Sequence, residues 1–195
     1  THPDRARRSV ASNSARYPLR MATTPHWISR LVRDIPDFPQ PGVTFRDITP
    51  LLGDAEGFTK SITELVHRFA DVPVDRVLGM EARGFIVAAP VAYRMGAGFI
   101  PVRKAGKLPW AVVREEYQLE YGSDKLEIHR DAIHPGERIL VIDDVLATGG
   151  TAAATCRLVE ALGGVVVGLG FLLEIEALGG RERLKGHLVE SLATY

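Results

Sequence analysis

Residues 139–151 combine two adjacent carboxylates with a loop of small hydroxyl and glycine residues, and their types and order suit binding of a phosphorylated sugar. Asp143 and Asp144 follow an apolar run, Ile139–Ile142, which is typical of a strand covered on both faces in a parallel sheet. Ligands of open α/β sheets bind outside the carboxyl ends of the strands. We therefore expect the strand to end before the two carboxylates, which would line a binding crevice.

The loop after the carboxylates has the composition of an anion-binding turn. It comprises Ala147, Thr148, Gly149, Gly150 and Thr151. The segment Ala152–Leu162 that follows has apolar residues at helical spacing. Amides at a helix start lack intrahelical partners and carry the positive end of the helix dipole, while glycine allows close approach and threonine adds donors. The pattern predicts a site for a sugar 5-phosphate, although an acidic pair or a glycine pair alone could be a cap and a turn.

The segment Val141–Thr151 resembles the phosphoribosyl pyrophosphate (PRPP) binding motif of type I phosphoribosyltransferases, and its details resemble the adenine-using branch of that family. Four more segments resemble the same branch, in the same order along the chain. They are Asp37–Pro39 with Pro41–Ile48, Glu81–Phe85, Arg103–Lys104 with Gly106–Pro109, and Leu119–Gly122. The resemblance extends from about Ile35 to about Glu174.

This resemblance implies an α/β, type I phosphoribosyltransferase-like fold with a central, mostly parallel sheet flanked by helices, a flexible hairpin lid and a short N-terminal hood. The implied reaction transfers the 5-phosphoribosyl group of PRPP to N9 of adenine, giving AMP and pyrophosphate in purine salvage. Mg²⁺ is the implied cofactor and would be carried by PRPP. Asp143 or Asp144 could contact the ion through a water molecule. A homodimer is also implied, with the segment near Arg103 and Lys104 approaching the neighbour's site.

Within the main motif, the resemblance makes Asp143 and Asp144 catalytic, holding ribose hydroxyls and stabilising positive charge at the anomeric carbon. The implied substrate-binding residues are Val145, Ala147, Thr148, Gly149, Gly150 and Thr151. Relatives that use 6-oxopurines commonly carry an Asp where this chain has Ala147 and a Lys where it has Gly150. The apolar Ala147 therefore favours adenine.

The segment Glu81–Gly84 links a predicted strand end to a predicted helix start, so its amides and the planar guanidinium of Arg83 could hold a second anion. The resemblance assigns this loop to the pyrophosphate of PRPP, with Arg83 catalytic and Glu81, Ala82 and Gly84 binding substrate. It also implies a cis peptide at this turn.

Arg103, Lys104 and Lys107 cluster just past another predicted strand. Cations near a leaving pyrophosphate stabilise the charge that grows in the transition state, so these residues are candidate substrate ligands. Taken alone, the cluster is more typical of a solvated basic face.

Residues 106–125 form a long stretch of mixed character, which in compact domains is usually a functional lid or disordered. A lid would exclude the water that competes for a reactive ribosyl cation. The resemblance places Glu120 at the purine, where it shares the proton lost on bond formation, and Tyr121 would hold the lid closed. An ordinary surface Glu is the alternative.

Phe45 offers an aromatic face for a purine, and the backbone at Thr44 and Arg46 could hydrogen-bond the edge of the base. Without the resemblance, a buried core Phe would be the better interpretation.

The intervening segments alternate between helical and strand patterns. We predict helices at Trp27–Arg33, Phe58–Phe69 and Phe85–Met95, strands at Arg76–Gly79 and Phe99–Val102, and a turn-rich stretch at Asp34–Gly42. Such alternation is typical of a parallel sheet with covering helices.

Composition narrows the class of protein. The chain has 195 residues, 46% hydrophobic and 25% charged, which suits one domain over residues 21–195. A net charge of zero offers no electrostatic case for nucleic acid. The single cysteine, Cys156, precludes a disulfide within the chain and is expected to be buried. It is compatible with a compartment that keeps thiols reduced. No apolar run approaches the ~20 residues that span a bilayer, so a soluble, cytoplasmic protein without membrane or nucleic-acid partners is expected.

Residues 1–20 contain five arginines and one acidic residue, too little apolar surface to order themselves. They could be a transit peptide, a basic arm, or an artefact if translation starts at Met21, which we favour because the leader lacks an apolar face.

Two other functions stay open at this stage. One is the same scaffold acting on another base, such as xanthine or a pyrimidine. The other is a PRPP-sensing transcriptional regulator, although the region before Ile35 is short for a DNA-binding domain with its own core.

Overall fold

A computed structural model describes residues 27–118 and 123–195. The predictions for residues 1–20, Glu120 and Tyr121 therefore lie outside the described residues.

The strands are β1 Arg33–Ile35, β2 Phe45–Asp47, β3 Arg76–Met80, β4 Gly98–Lys104, β5 Val112–Gln118, β6 Ser123–His129, β7 Arg138–Leu146, β8 Val165–Glu174 and β9 Val189–Thr194. The α-helices are α1 Thr49–Gly53, α2 Ala55–Arg68, α3 Arg83–Met95 and α4 Gly150–Ala161. Short 3₁₀ helices span Trp27–Leu31, Glu176–Leu178 and Gly180–Leu184.

Over the described residues, seven strands form one sheet in the order β5-β6-β4-β3-β7-β8-β9. Neighbours from β4 to β9 pair in parallel, whereas β6 pairs antiparallel with both β4 and β5. The mostly parallel sheet with flanking helices confirms the predicted fold class, and β5 and β6 form the predicted hairpin. The hairpin continues to His129, beyond the expected boundary at residue 125.

The apolar run Ile139–Ile142 is completely buried because both faces of β7 are covered. Successive strand side chains point to opposite faces, so Ile139 and Val141 join the core that includes Leu158 of α4. Leu140 and Ile142 join the second core, which includes residues of α2 and α3. Burial on both faces accounts for a strand without polar alternation.

β7 does not end before the two carboxylates, as the sequence had suggested, but continues to Leu146. Pairing with β8 extends along this segment, with Asp143 opposite Phe171 and Leu146 opposite Glu174. The polar side chains lie on a hydrogen-bonded strand because the neighbouring strand is long enough to pair with it.

Other boundaries differ modestly from the predictions. The first 3₁₀ helix ends at Leu31 rather than at Arg33, because Arg33 already pairs with Asp47 in the β1-β2 ladder. Helix α3 begins at Arg83 rather than Phe85, and ends at Gly96 with a left-handed φ of 66°. Helix α1 had not been predicted.

The β1-β2 ladder makes up part of the predicted N-terminal hood. The Arg46 guanidinium lies 4.4 Å from the ring centroid of Tyr195, which directly follows β9. This contact holds the hood at the carboxyl edge of the sheet. None of the helices in the described part of the chain has the length and apolar character needed to cross a membrane.

Cys156 on α4 is 4% exposed, and burial followed by the nearby Glu160 carboxylate raises the pKa of its thiol to about 12. Since the thiolate is the reactive form, only about one thiol in 10⁴ would be ionised and able to react at about pH 8. We expect the native thiol to react with a colorimetric disulfide reagent at least 100-fold more slowly than the thiol of the urea-unfolded chain. Equal rates would contradict this burial, and a Cys156→Ala variant supplies the blank.

Candidate active site

A cavity of about 630 Å³ opens at the carboxyl edge of the sheet and gathers most of the residues singled out from the sequence. These are Thr44, Phe45, Arg46, Glu81, Ala82, Arg83, Lys104, Asp143, Asp144, Val145, Ala147 and Thr151. An adjoining cavity of about 70 Å³ is lined by the loop after β7, which includes Thr148, Gly149 and Gly150. Gly84, Arg103 and Lys107 do not line either cavity.

Asp143 and Asp144 lie between helix α3 and the large cavity. Asp144 is 6% exposed, and its Oδ2 lies 2.5 Å from Arg83 Nε. Among the described residues this oxygen accepts no well-aligned hydrogen bond, so Arg83 pairs with it by charge. The Asp144 amide donates to Asp143 Oδ1 at 2.9 Å.

Burial, and then the neighbouring Asp144 carboxylate, raise the pKa of Asp143 well above its ordinary value, while the Arg83 charge opposes them. An ionised Asp143 is therefore costly in the free site. A positive charge developing beside Asp143 would lower that cost. The carboxylate would in turn stabilise a sugar that gains positive charge during reaction.

Gly84 leaves space for the neighbouring Asp143 carboxylate. A Cβ at this position would lie 2.6 Å from Asp143 Oδ1, so a side chain here would displace the carboxylate or the first turn of α3. The close approach of α3 to Asp143 explains this glycine.

The loop that feeds α4 is supported from behind by the turn at Gly179 and Gly180. Gly149 has a left-handed φ of 78°, and a Cβ there would overlap the Gly180 carbonyl oxygen. A Cβ at Gly180 would in turn overlap the Ala147 carbonyl oxygen and lie 2.9 Å from the Gly149 amide. The two glycines pack back to back and fix the position of the loop.

A Gly180→Ala substitution should push this loop toward the 70 Å³ cavity. Because the backbone on both sides is too closely packed to move easily, we expect the KM for PRPP, the substrate that the resemblance implies, to rise at least about tenfold with a smaller change in kcat. Gly53→Ala is the control, since a Cβ at Gly53 meets nothing within 4 Å. Similar KM values for the two variants in steady-state assays would refute the supporting role of Gly180.

Glu81 pairs with the basic groups near the end of β4. Lys107 Nζ lies 2.5 Å from Glu81 Oε1, and Glu81 Oε2 accepts from Arg103 Nε at 3.3 Å and from the Lys104 amide at 3.0 Å. Burial raises the pKa of Glu81, but the hydrogen bonds from Lys107, Lys104 and Arg103 outweigh it and lower the pKa overall. Arg103 and Lys107 are therefore held at the side of the site.

The peptide bond between Glu81 and Ala82 is cis, as the resemblance had implied. Lys104 Nζ pairs with Asp124 of the hairpin.

One wall of the cavity is aromatic. The Phe45 ring meets the Phe38 ring edge to face, with centroids 5.3 Å apart, and the Arg83 guanidinium carbon lies 5.1 Å from the Phe45 centroid. Phe45 is partly buried and lines the cavity, so it is not a core residue.

Five cavity residues had not been identified from the sequence. They are Val43, Tyr117, Leu126, Ile175 and Leu178. Ile175 directly follows β8 and Leu178 ends the short 3₁₀ helix that comes next, so their position just past the carboxyl end of a parallel strand could have signalled them. Tyr117 and Leu126 come from facing strands of the hairpin.

The hairpin contacts the first turn of α4 through Tyr117, which is 5% exposed. Its hydroxyl lies 3.3 Å from Asp124 Oδ2 and 3.4 Å from Thr151 Oγ. These long polar contacts join the hairpin to the anion-binding loop.

Within residues 27–118 and 123–195, no group of three or more His, Cys, Asp or Glu side chains could hold a metal ion. Mg²⁺ usually binds to proteins through one or two carboxylates together with water and substrate phosphates. The adjacent Asp143 and Asp144, with one buried oxygen lacking an aligned donor, fit that mode.

Comparisons with known proteins agree with this geometry. Residues 56–190 match the family model of the phosphoribosyl transferase domain. The chain is 56% identical over 168 residues to the adenine phosphoribosyltransferase of Solibacter usitatus, covering 86% of this chain and 97% of that protein. It is 55% identical over 168 residues to the enzyme of the same name from Thermotoga maritima, with coverage of 86% and 97%.

Solved structures give the same result. Adenine phosphoribosyltransferase from Thermoanaerobacter pseudethanolicus superposes with a TM-score of 0.85 at 49% identity, covering 86% of this chain and 98% of that one. The Saccharomyces cerevisiae enzyme, solved with adenine and an imino-altritol bisphosphate, gives a TM-score of 0.80 at 38% identity, with coverage of 85% and 96%.

Proposed function

The chain belongs to the phosphoribosyl transferase family, in its adenine-using branch, and we propose that the 630 Å³ cavity is where it transfers the 5-phosphoribosyl group of PRPP to N9 of adenine. AMP and pyrophosphate are the products, in purine salvage. One observation carries the assignment of the site. The carboxylate pair, the anion-binding loop, Arg83 and Phe45 all face connected cavities at one edge of the sheet.

At the sugar, Asp143 and Asp144 accept hydrogen bonds from the ribose hydroxyls and stabilise positive charge at the anomeric carbon. The loop from Thr148 to Thr151 binds the 5-phosphate through backbone amides and threonine hydroxyls. The size of the 70 Å³ cavity and its position beside Asp143 support this division of roles.

The pyrophosphate is held by Arg83 and by the amides of the Glu81–Gly84 turn, with Ala82 exposed at the cavity. Arg103, Lys104 and Lys107 lie nearby and add positive charge as the leaving group becomes more negative. Because Glu81 pairs with Arg103 and Lys107, an arriving pyrophosphate must compete with it for these cations.

Asp143 and Asp144 are the residues that would hold a Mg²⁺ ion carried by PRPP, directly or through water. When bound, the ion neutralises charge on the diphosphate. The two carboxylates still orient the ribose themselves.

Adenine binds against Phe45, with the backbone of Thr44 and Arg46 at its edge. Ala147 offers no carboxylate to a 6-oxopurine, which supports a preference for adenine. The proposed roles of Glu120 in proton transfer and of Tyr121 in lid closure rest on the resemblance, because neither residue is among those described.

Incubation of the protein with PRPP, Mg²⁺ and one base at a time provides the direct test. We expect nucleotide and pyrophosphate with adenine, and at least 100-fold lower kcat/KM with hypoxanthine, guanine, xanthine or uracil. Faster reaction with another base would overturn the base assignment. DNA binding without turnover would instead favour a regulator.

We also propose a homodimer, supported by an exposed apolar face on α3 and the adjoining β4. Ile86 is 45% exposed and Tyr93 is 84% exposed, and both lie on one side of α3, while Phe99 nearby is 38% exposed. Exposed large apolar side chains grouped on one side of a helix are typical of an interface. Light scattering of the wild-type protein should give twice the mass of the chain. The Tyr93→Glu variant should give the mass of a single chain.

A cytoplasmic location is the last part of the proposal. The single buried cysteine suits a compartment that keeps thiols reduced. Cell fractionation followed by immunoblotting would test this location.

A further inference from the structure

A buried carboxylate lies at the base of the hairpin. Glu127 on β6 is 1% exposed and lines neither of the two cavities of the site. Because β6 lies between β4 and β5, Glu127 stands opposite Arg103 on one side and Arg114 on the other. A buried charge is costly unless it is paired, so its partners indicate what it stabilises.

Both carboxylate oxygens of Glu127 are occupied. Oε1 accepts from Arg114 Nε at 2.8 Å and from Arg114 Nη2 at 2.5 Å. Oε2 accepts from the Gly106 amide at 2.8 Å. Burial raises the pKa of Glu127, but the Gly106 amide and the Arg114 guanidinium outweigh burial and lower it, so the group is ionised at neutral pH.

The Gly106 amide belongs to the turn that carries the cations of the site. Gly106 has a left-handed φ of 80° and immediately precedes Lys107. The Lys107 carbonyl accepts from Arg103 Nη1 at 3.1 Å, and Lys107 Nζ reaches Glu81. The hydrogen bond from Gly106 to Glu127 therefore fixes the start of a turn on which the positions of Arg103 and Lys107 depend.

We infer that Glu127 is a positioning residue for the pyrophosphate end of the site, acting through the turn at Gly106. The inference rests on the proposed function and assigns a role to a residue that touches no substrate. It also links the hairpin to the leaving-group cations, because the same carboxylate holds Arg114 of β5. A purely structural ion pair would instead affect all ligands alike.

The two products separate these roles, since pyrophosphate would contact the cations whereas AMP lacks a pyrophosphate. In the Glu127→Gln variant of the full chain, the amide keeps the shape of the side chain but cannot accept at both positions. We expect calorimetry to give about a tenfold weaker Kd for pyrophosphate with Mg²⁺, and an AMP Kd within about twofold of wild type. The KM for PRPP should rise in parallel, with kcat changed less.

Glu137→Gln is the matched control. Glu137 also accepts from a backbone amide, that of His134 at 2.8 Å, and from an arginine, Arg76 at 2.9 Å. It directly precedes β7, at the opposite edge of the sheet from the cavity. This variant should leave the Kd values for pyrophosphate and AMP unchanged.

A second variant keeps the test decisive if Glu127→Gln fails to fold. Gly106→Ala puts a side chain on a backbone with a φ of 80°, while its Cβ meets nothing within 4 Å. The turn should shift, with the same selective loss of pyrophosphate affinity. If both single variants fold, their combined effect should be less than additive, because both act on one contact.

Equal weakening of pyrophosphate and AMP in either variant, or unchanged pyrophosphate binding, would overturn the role of Glu127. These failures are distinct from failure of the proposed function. A wild-type protein that makes no AMP from adenine and PRPP would disprove the function. If the wild-type protein turns over but the variants lose affinity for pyrophosphate and AMP equally, only the positioning role is disproved.

Discussion

Replacing Asp143 and Asp144 together by asparagine should lower kcat/KM for PRPP by about 10³-fold or more. The substitution removes the two carboxylates that are proposed to face the sugar, while nearly preserving side-chain volume. Loss of a single preorganised group that stabilises transition-state charge commonly costs about 10²–10³ in rate. The raised pKa of Asp143 indicates that the two carboxylates interact, so we expect the double variant to lose less than the product of the single effects.

The matched control is the double variant Asp71→Asn with Asp131→Asn, which removes the same formal charge from two exposed positions. This control should retain wild-type kcat/KM when both double variants are compared in one spectrophotometric assay. Circular dichroism melting would show that both double variants are folded. Wild-type turnover by the Asp143 and Asp144 variant would remove the basis for the proposed site.

An Arg83→Leu substitution has the second largest expected effect, about a 10²-fold loss in kcat/KM for PRPP. Two consequences combine. In the proposed site the pyrophosphate would lose a planar, bidentate donor, and the 6% exposed Asp144 would lose the cation 2.5 Å from its Oδ2. We expect Arg83→Lys to recover only part of the loss, because an ammonium group supplies charge without the bidentate geometry.

Arg94→Leu is the control on the same helix, since Arg94 is exposed in the last turn of α3, away from the cavity. Steady-state kinetics with PRPP as the varied substrate would compare the three variants. If Arg83→Leu and Arg94→Leu had the same kcat/KM, the guanidinium of Arg83 would have no part in the reaction.

The central strand and the main loop could be predicted because their local signals agree with their environment. The apolar run Ile139–Ile142 implies cover on both faces, and the two cores provide it. Helix α3 was recognisable because it follows the Glu81–Gly84 segment and is closed by a glycine, Gly96. The family resemblance added the adenine specificity, which periodicity does not encode.

Prediction was least accurate where partners distant in the chain decide the outcome. β7 continues through Asp143 and Asp144 because β8 pairs with it as far as Leu146 and Glu174. Helix α1 had no recognisable apolar pattern of its own, since Thr49–Gly53 is only five residues long and contains a proline. Tertiary contacts overrode or supplied the local preference in each case.

Residue types and their order along the chain fix the chemistry available to this protein: paired carboxylates, an anion-binding loop, and basic and aromatic segments in the order that its family shares. The folded arrangement is needed to see that Glu81 pairs with Arg103 and Lys107, that Gly180 packs behind Gly149, and that Glu127 accepts from the turn at Gly106. The physical reason is that these contacts join segments far apart in the chain. Their distances and burial are set by how the sheet and its connections pack, which residue types and spacing along one strand do not specify.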